Sequence, residues 1–351
     1  MRWEFIFKVL SLIFLTGASD SMGAHPQTPT TLKDCAPEQE FEGITSFRLD
    51  KLFGQVNIQS SDTTKLKINY SNIPDALLKK VQISHKGGHL EISFPGSYSK
   101  INGWLYCSGS PSSREGGYDI SRSVITIVCP KNLLSYELDP GISTTTVTGK
   151  LEGRTLLNTS SSGTLKVDDV KGDNIKVDVS GSSHVMVNAI EALNLKVNLT
   201  GAGNITLGMV KAPNISVSTV GSGNIKMETI QTTALEASDL SSGSIIIEMI
   251  NASMLKAFCN GSGDIELNSG NIQTADIIVA GSGNVIMSNI SITKNLKTTT
   301  SGSGDIQVVG KVQNVEASAN GAGDISVKSA YGKIETSKSG SGRINIVEVK
   351  L

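Results

Sequence analysis

The chain has 351 residues, with 31 Lys and Arg against 32 Asp and Glu, and a formal net charge of −1. The charges are scattered rather than blocked, which excludes the basic footprint of a nucleic-acid binder and the basic face that seeks anionic lipid. Glycine is raised at 36 residues and aromatics are low at 5%, so the question is whether the glycines recur with a period, as turns in a repeat do.

The first segment reads as a secretory signal. Arg2 and Lys8 supply positive charge, Val9 to Leu15 form a short apolar core, and Gly17, Ala18 and Ser19 follow. The apolar run is shorter than the ~20 residues a spanning helix needs. Residues 1–24 are therefore expected to be removed, with the cut after Ala18, Ser21 or Ala24. The expected location is exported: periplasm, outer-membrane-associated or cell surface. Export would place Cys35, Cys107, Cys129 and Cys259 in an oxidising compartment. Cys107 and Cys129 flank one loop and are the expected disulfide. Cys259 falls where a repeat should face its core and reads as a small buried hydrophobe. No CxxC pair exists, so no metal site is expected from the cysteines.

Residues 36–140 lack a repeat but still read as strands. Val56-Asn57-Ile58, Leu66-Lys67-Ile68, Leu90-Glu91-Ile92 and Val124-Ile125-Thr126-Ile127 alternate at period two, and Gly87-Gly88 marks a turn. This region is expected to lead into the following repeat or to cap it, covering backbone groups that an open end would leave unpaired. Between Phe94 and Ile120 lies an irregular stretch holding Tyr98, Trp104, Tyr106 and Tyr118. From residue 151 onward the only aromatics are Phe258 and Tyr331. Those four are the candidate ligand-binding residues, since long ordered loops often carry function. The structural alternative is that they pack over one end of the repeat.

Residues 141–351 are self-similar. Gly-Ser/Ala-Gly-Asp/Asn-Ile recurs as Gly201-Ala202-Gly203-Asn204-Ile205 and Gly221-Ser222-Gly223-Asn224-Ile225. The series continues at Gly263-Asp264, Gly283-Asn284, Gly304-Asp305 and Gly323-Asp324, and ends at Gly340-Ser341-Gly342-Arg343-Ile344. Degenerate copies begin at Ser161, Gly181 and Ser241. The starts lie 20 apart from 161 to 281, then 21, 19 and 19. Apolar columns keep the period, for example Leu165, Val185, Ile205, Ile225, Ile245 and Ile265, and again Ile175, Leu195, Ile215, Leu235 and Leu255. Alternation within each copy is that of strand. The pattern predicts an all-β fold: a single-stranded parallel β-helix, or β-solenoid, of 20-residue coils, right-handed by the crossover rule. Each coil is expected to hold two short strands. One coil cannot bury its apolar face alone, whereas stacked coils share a continuous core. At ~4.8 Å per step, ten coils make a rod roughly 45–50 Å long. The motif glycines are expected at corners with positive φ, and the Asn and Asp after them in a side-chain ladder up the stack. A calcium reading of Gly-Asp fails on the period, and because Asn, Ser, His or Arg replaces the Asp.

With these residues in place the chain resembles the auto-transporter adhesin, head GIN domain family of bacterial exported proteins, over about Phe41 to Leu351. The resemblance rests on Phe41-Glu42-Gly43-Ile44, the strand Val56–Gln59, the segment Leu78 to Leu90, and Val124–Pro130 running into the Gly-Ser-Gly-Asp-Ile copies. It implies a β-helical fold and supplies no catalytic residues. The sequence departs from that name in one respect: no amphipathic ~10-residue strands of a membrane barrel follow the repeats.

Glycoside hydrolysis needs two positioned carboxylates, and here the carboxylates are spread out. His85 and His89 are placed to share a hairpin face, His184 replaces a motif Asn, and no Gly-x-Ser-x-Gly, HExxH or P-loop is present. The expected function is non-catalytic: an exported protein presenting a rigid solenoid for adhesion, binding or scaffolding, with no cofactor. The alternative is a carbohydrate-active β-helix enzyme near the aromatic loop. Expected partners are an envelope, matrix or glycan ligand, no nucleic acid, and a second copy through the solenoid ends.

Overall fold

The computed structural model describes residues 30–31, 38–102, 104–108 and 117–349. The expected signal segment lies outside the described residues. Side-chain alternation sets the shape of each coil. In Thr164–Val179, the residues Leu165, Val167, Val170, Ile175, Val177 and Val179 are buried. Alternation slips at Asp168-Asp169 and at Asp173-Asn174, where two residues in succession stay out of the core. A period-two strand that does this turns a corner. One continuous strand therefore wraps three short sides, where the sequence reading expected two separate strands. The ladder survives the corners because residues there pair with counterparts twenty positions on: Asp169 with Ala189, Gly172 with Ala192, Asn174 with Asn194.

Coil stacks on coil in parallel register. Val185 pairs with Ile205, Ile205 with Ile225, Ile225 with Ile245 and Ile245 with Ile265. The result is a β-solenoid of about 11 turns. The apolar columns merge into one core running from Ile44 to Ala330. Each Val, Leu or Ile moved into it contributes about 1.5–3 kcal/mol. Departures from period 20 sit at corners. The extra residue of the 21-residue coil falls between Ile292 and Asn295, where the register shifts.

The motif glycines keep ordinary φ values; positive φ belongs to other glycines such as Gly54 and Gly149. The reason for glycine in the motif is space. A Cβ on Gly223 would land on the carbonyl oxygen of Gly203, one on Gly283 on that of Gly263, and one on Gly304 on that of Gly283. Successive turns approach this closely because they bond to one another: the Ser222 N–H donates to the Gly201 carbonyl at 3.1 Å.

The fourth motif position joins successive coils chiefly from side chain to backbone, with a side-chain link besides where the Asn284 Nδ2 donates to the Asp264 Oδ1 at 3.1 Å. The Asn204 Oδ1 accepts the backbone N–H of Asn224 at 2.9 Å, and the Asn224 Oδ1 that of Ser244 at 2.9 Å. The series continues from Ser244 Oγ to Asp264 N–H, Asp264 to Asn284, Asn284 to Asp305, Asp305 to Asp324, and Asp324 to Arg343. Any side chain offering an oxygen to the next backbone satisfies this position, which explains why Asn, Asp and Ser interchange.

The solenoid begins earlier than the repeat. Strand Ser46–Asp50 pairs in parallel with Ser135–Asp139, and Gln55–Ser61 pairs in parallel with Thr144 to Thr148. Residues 46–61 are thus a coil directly beneath 135–148, and His89–Ser93 and Val124–Pro130 pair with it in parallel from the other side. Antiparallel pairing joins it here: Leu66–Ser71 against Val124–Pro130 and Glu38–Phe41, and Gln82–Lys86 against His89–Ser93. Tyr136 pins the return of the chain, since its buried hydroxyl donates to the Pro130 carbonyl at 2.6 Å and accepts the Leu133 N–H at 3.0 Å. At the other end, Ile344 and Ile346 are only partly buried and Val347 is 47% exposed.

Candidate functional site

A groove of about 680 Å³ runs along the solenoid over six successive coils, within the usual range for a ligand site. It follows the corner where the third side of each coil begins. At ~4.8 Å per coil its five steps span roughly 24 Å. Three vertical rows build it. The first is Arg154, Asn174, Asn194, Asn214, Ala234 and Met254. The second, inward of these, includes Ile175, Leu195, Ile215 and Leu235 and belongs to the core. The third is Leu156, Lys176, Lys196, Ser216, Glu236 and Lys256.

The asparagines of the first row are chained. Asn194 Nδ2 donates to Asn174 Oδ1 at 3.0 Å, and Asn214 Nδ2 to Asn194 Oδ1 at 3.1 Å. A carboxamide carries two N–H donors and each link uses one, so a second donor per coil remains. Half of the third row is cationic. Lys176 forms an ion pair with Asp178, whose other oxygen accepts from Asn198. Lys196 and Lys256 have no carboxylate within ion-pair distance among the described residues. Glu236 is the one acidic side chain in the lining, and the lining holds no aromatic ring.

These residues lay in the sequence as outward Lys, Ser and Asn and were not singled out. The signal that finds them is vertical: read every twentieth residue from 154, and Arg, Asn, Asn, Asn appears, followed two positions on by Leu, Lys, Lys and Ser.

The expected aromatic site divides into two. Trp104 and Tyr106 alternate with fully buried Leu105 on strand Trp104–Ser108 and stand outward, 45% and 42% exposed. They share a face of a three-stranded antiparallel sheet with Ser97–Ile101 and Tyr118–Asp119. Tyr98 and Tyr118 instead pack against the core. The Tyr98 hydroxyl donates to the Lys51 carbonyl at 2.9 Å, and its ring lies 5.1 Å from that of Phe94. Two of the four thus help to anchor the hairpin to the core.

The expected Cys107–Cys129 bridge is not formed: Cys129 is a free thiol. Strand Val124–Pro130 points Ile125, Ile127 and Cys129 inward alike, so parity delivers that sulfur to the core. Burial pushes its pKa up to about 12. Cys259 is likewise buried, free and held near 12, chiefly by burial and then by Asp239 beside it. A thiol in that state is a poor nucleophile.

His85 and His89 do not share a face. His85 pairs across the hairpin with Leu90 and His89 with Lys86, and adjacent cross-strand pairs point to opposite sides. The ring of His85 meets Phe41 edge-on, and His89 Nδ1 lies 2.8 Å from Ser46 Oγ. Among the described residues no group of three or more His, Cys, Asp or Glu is placed to hold a metal ion. No helix among them is long and apolar enough to cross a membrane.

A single-chain parallel β-solenoid, underlain by antiparallel strands and grooved along one flank, is the class of protein this geometry defines. Comparison with known families narrows it. The chain belongs to the family described as "Putative auto-transporter adhesin, head GIN domain", whose model matches residues 143–238 and again 209–330, together more than half of the chain. No curated protein matches it. Solved structures of similar shape include two from Parabacteroides distasonis. One is described as a putative adhesin, at 17% identity, TM-score 0.42, covering 89% of this chain and 96% of that one. The other is described as a putative lipid binding protein, at 20% identity and TM-score 0.35 with the same coverage. A putative adhesin from Bacteroides fragilis matches at 17% identity and TM-score 0.27, over 88% and 96% of the two chains. At these scores the likeness defines neither ligand nor activity.

Proposed function

We propose that the protein is a non-catalytic, exported envelope or surface protein whose solenoid presents a rigid, repetitive face for adhesion or scaffolding. The observation that carries this reading is the groove repeated over six coils, with its side chains fixed to one continuous stack of strands. Sites on rigid elements hold a binding geometry that loops do not. Membership in an adhesin-named family and the signal-like first segment support it. The enzyme alternative draws no support from the groove, which offers Glu236 alone where glycoside hydrolysis uses a carboxylate pair.

The test is protease shaving of intact cells beside a periplasmic control protein, followed by detection of this chain. Loss from intact cells supports a surface contact role. Survival until the outer membrane is permeabilised removes adhesion and leaves an envelope scaffold.

A further inference from the structure

We infer that the lateral groove binds an extended acidic polysaccharide, a chain of sugars bearing carboxylates, laid along the solenoid axis; this rests on the binding role proposed above and names its ligand class. The first ground is periodicity. At three successive coils, about 4.8 Å apart, the groove repeats one feature, a spare amide donor at Asn174, Asn194 and Asn214. A compact ligand would use one or two such levels. A linear polymer with a repeating hydroxyl pattern uses all of them.

The second ground is charge. The lining carries Arg154, Lys176, Lys196 and Lys256 against Glu236. Lys196 and Lys256 form no ion pair among the described residues, but Lys256 is flanked in register by Glu236 and Asp276, so Lys196 is the cation more open to a ligand. Its natural complement is a carboxylate on the polymer. The third ground is the lack of any aromatic ring in the lining. Binding here comes from hydrogen bonds and ion pairs rather than stacking, which disfavours a neutral glucan. A membrane surface is too flat to enter a recessed strip between rows of side chains. Single-stranded nucleic acid binds largely by stacking its bases on aromatic side chains, and the lining holds none.

The experiment measures binding of the purified full chain to polygalacturonate, dextran, duplex DNA and phosphatidylglycerol vesicles at several salt concentrations. Polygalacturonate is expected to bind at least about tenfold more tightly than dextran, as charge-assisted contacts require. Lys196→Glu with Lys256→Glu should lose about tenfold or more of that affinity. Asn194→Ala, which leaves the charge unchanged, should lose severalfold. Circular dichroism and Tm verify that each variant is folded.

Undiminished polygalacturonate binding by the folded lysine double variant overturns the assignment. So does DNA binding as tight as polygalacturonate binding with the same losses, which marks a non-specific cationic strip, and so does tighter binding to the vesicles. If shaving places the protein on the surface but polygalacturonate is not bound, the ligand class falls and the surface role stands. If the purified chain binds polygalacturonate yet is sealed inside the outer membrane, adhesion falls and the groove assignment stands.

Discussion

Glycine at Gly223 answers to a neighbour, not to its own dihedral angles: the Gly203 carbonyl occupies the place a Cβ would take. Gly223→Ala should therefore destabilise by about 1–3 kcal/mol, as overpacking does, while Ser222→Ala, at a position where Ala occurs in other copies, stays near neutral. Urea denaturation of the two variants checks this. Asp239 presents the opposite case. It stands fully buried between Thr219 and Cys259, in a column that also holds Val179, Leu199 and Val279. Burial raises its pKa, opposed by the Ser241 N–H and the Cys259 thiol. Because the folded pKa exceeds the unfolded one, the fold favours the protonated form. The resulting stability is present below the unfolded value of about 4 and is lost as pH rises through the raised folded value. Asp239→Val should stabilise by about 1–3 kcal/mol at neutral pH, and the gain should shrink as pH falls. Tm measured for both proteins from pH 4 to pH 7 reads it. An equal gain at both ends would refute the assignment to the carboxyl.

Among the elements, the segment from Val124 to Asp139 has the most to do, because it brings the chain back from beneath the first coil. Tyr136→Phe leaves the Leu133 N–H and the Pro130 carbonyl without the hydroxyl that serves both, an expected loss of about 1–3 kcal/mol. Wild-type stability in that variant would show that the corner is held by packing alone. The repeat strands were legible from their columns, since Leu165, Val185 and Ile205 recur at twenty and alternate within each copy. Cys129 was legible too, being two residues beyond Ile127 on the same inward parity, but its place flanking a loop suggested a bridge instead. The coil at 46–61 was not legible. Its partner Ser135 lies 89 residues after Ser46, and no local periodicity announces a pairing at that separation. The use of the motif glycines was equally hidden, because a clash with the next coil depends on a distance no single chain segment encodes. The groove was hidden for a simpler reason: its rows run across the chain rather than along it.

At the scale of the molecule, each coil contacts mainly its two neighbours, so stability is close to a sum of coil and interface contributions. Coils with a partner on both sides should open last. The final strands Ile334–Lys338 and Ile344–Glu348, largely exposed and partnered on one side among the described residues, should exchange their amide hydrogens soonest. Hydrogen exchange read by mass spectrometry should find peptides from 334–348 less protected than those from 245–300; uniform protection would mean that the stack opens as a single unit.

The oxygen-to-backbone contact handed from Asn204 to Asn224 and onward makes no reference to which coil it is in. Between Asn204 and Arg343 each level inherits an acceptor from below and offers one above. The stack therefore has a unit of length, as a ruler does. Duplicating residues 205–224 should yield a folded protein whose rod is longer by one step of ~4.8 Å, and whose groove has one more level. An insertion of ten residues, which is no whole number of units, should not fold, and comparing the two by circular dichroism and small-angle scattering would separate them. Reach, in such a molecule, comes only in whole increments.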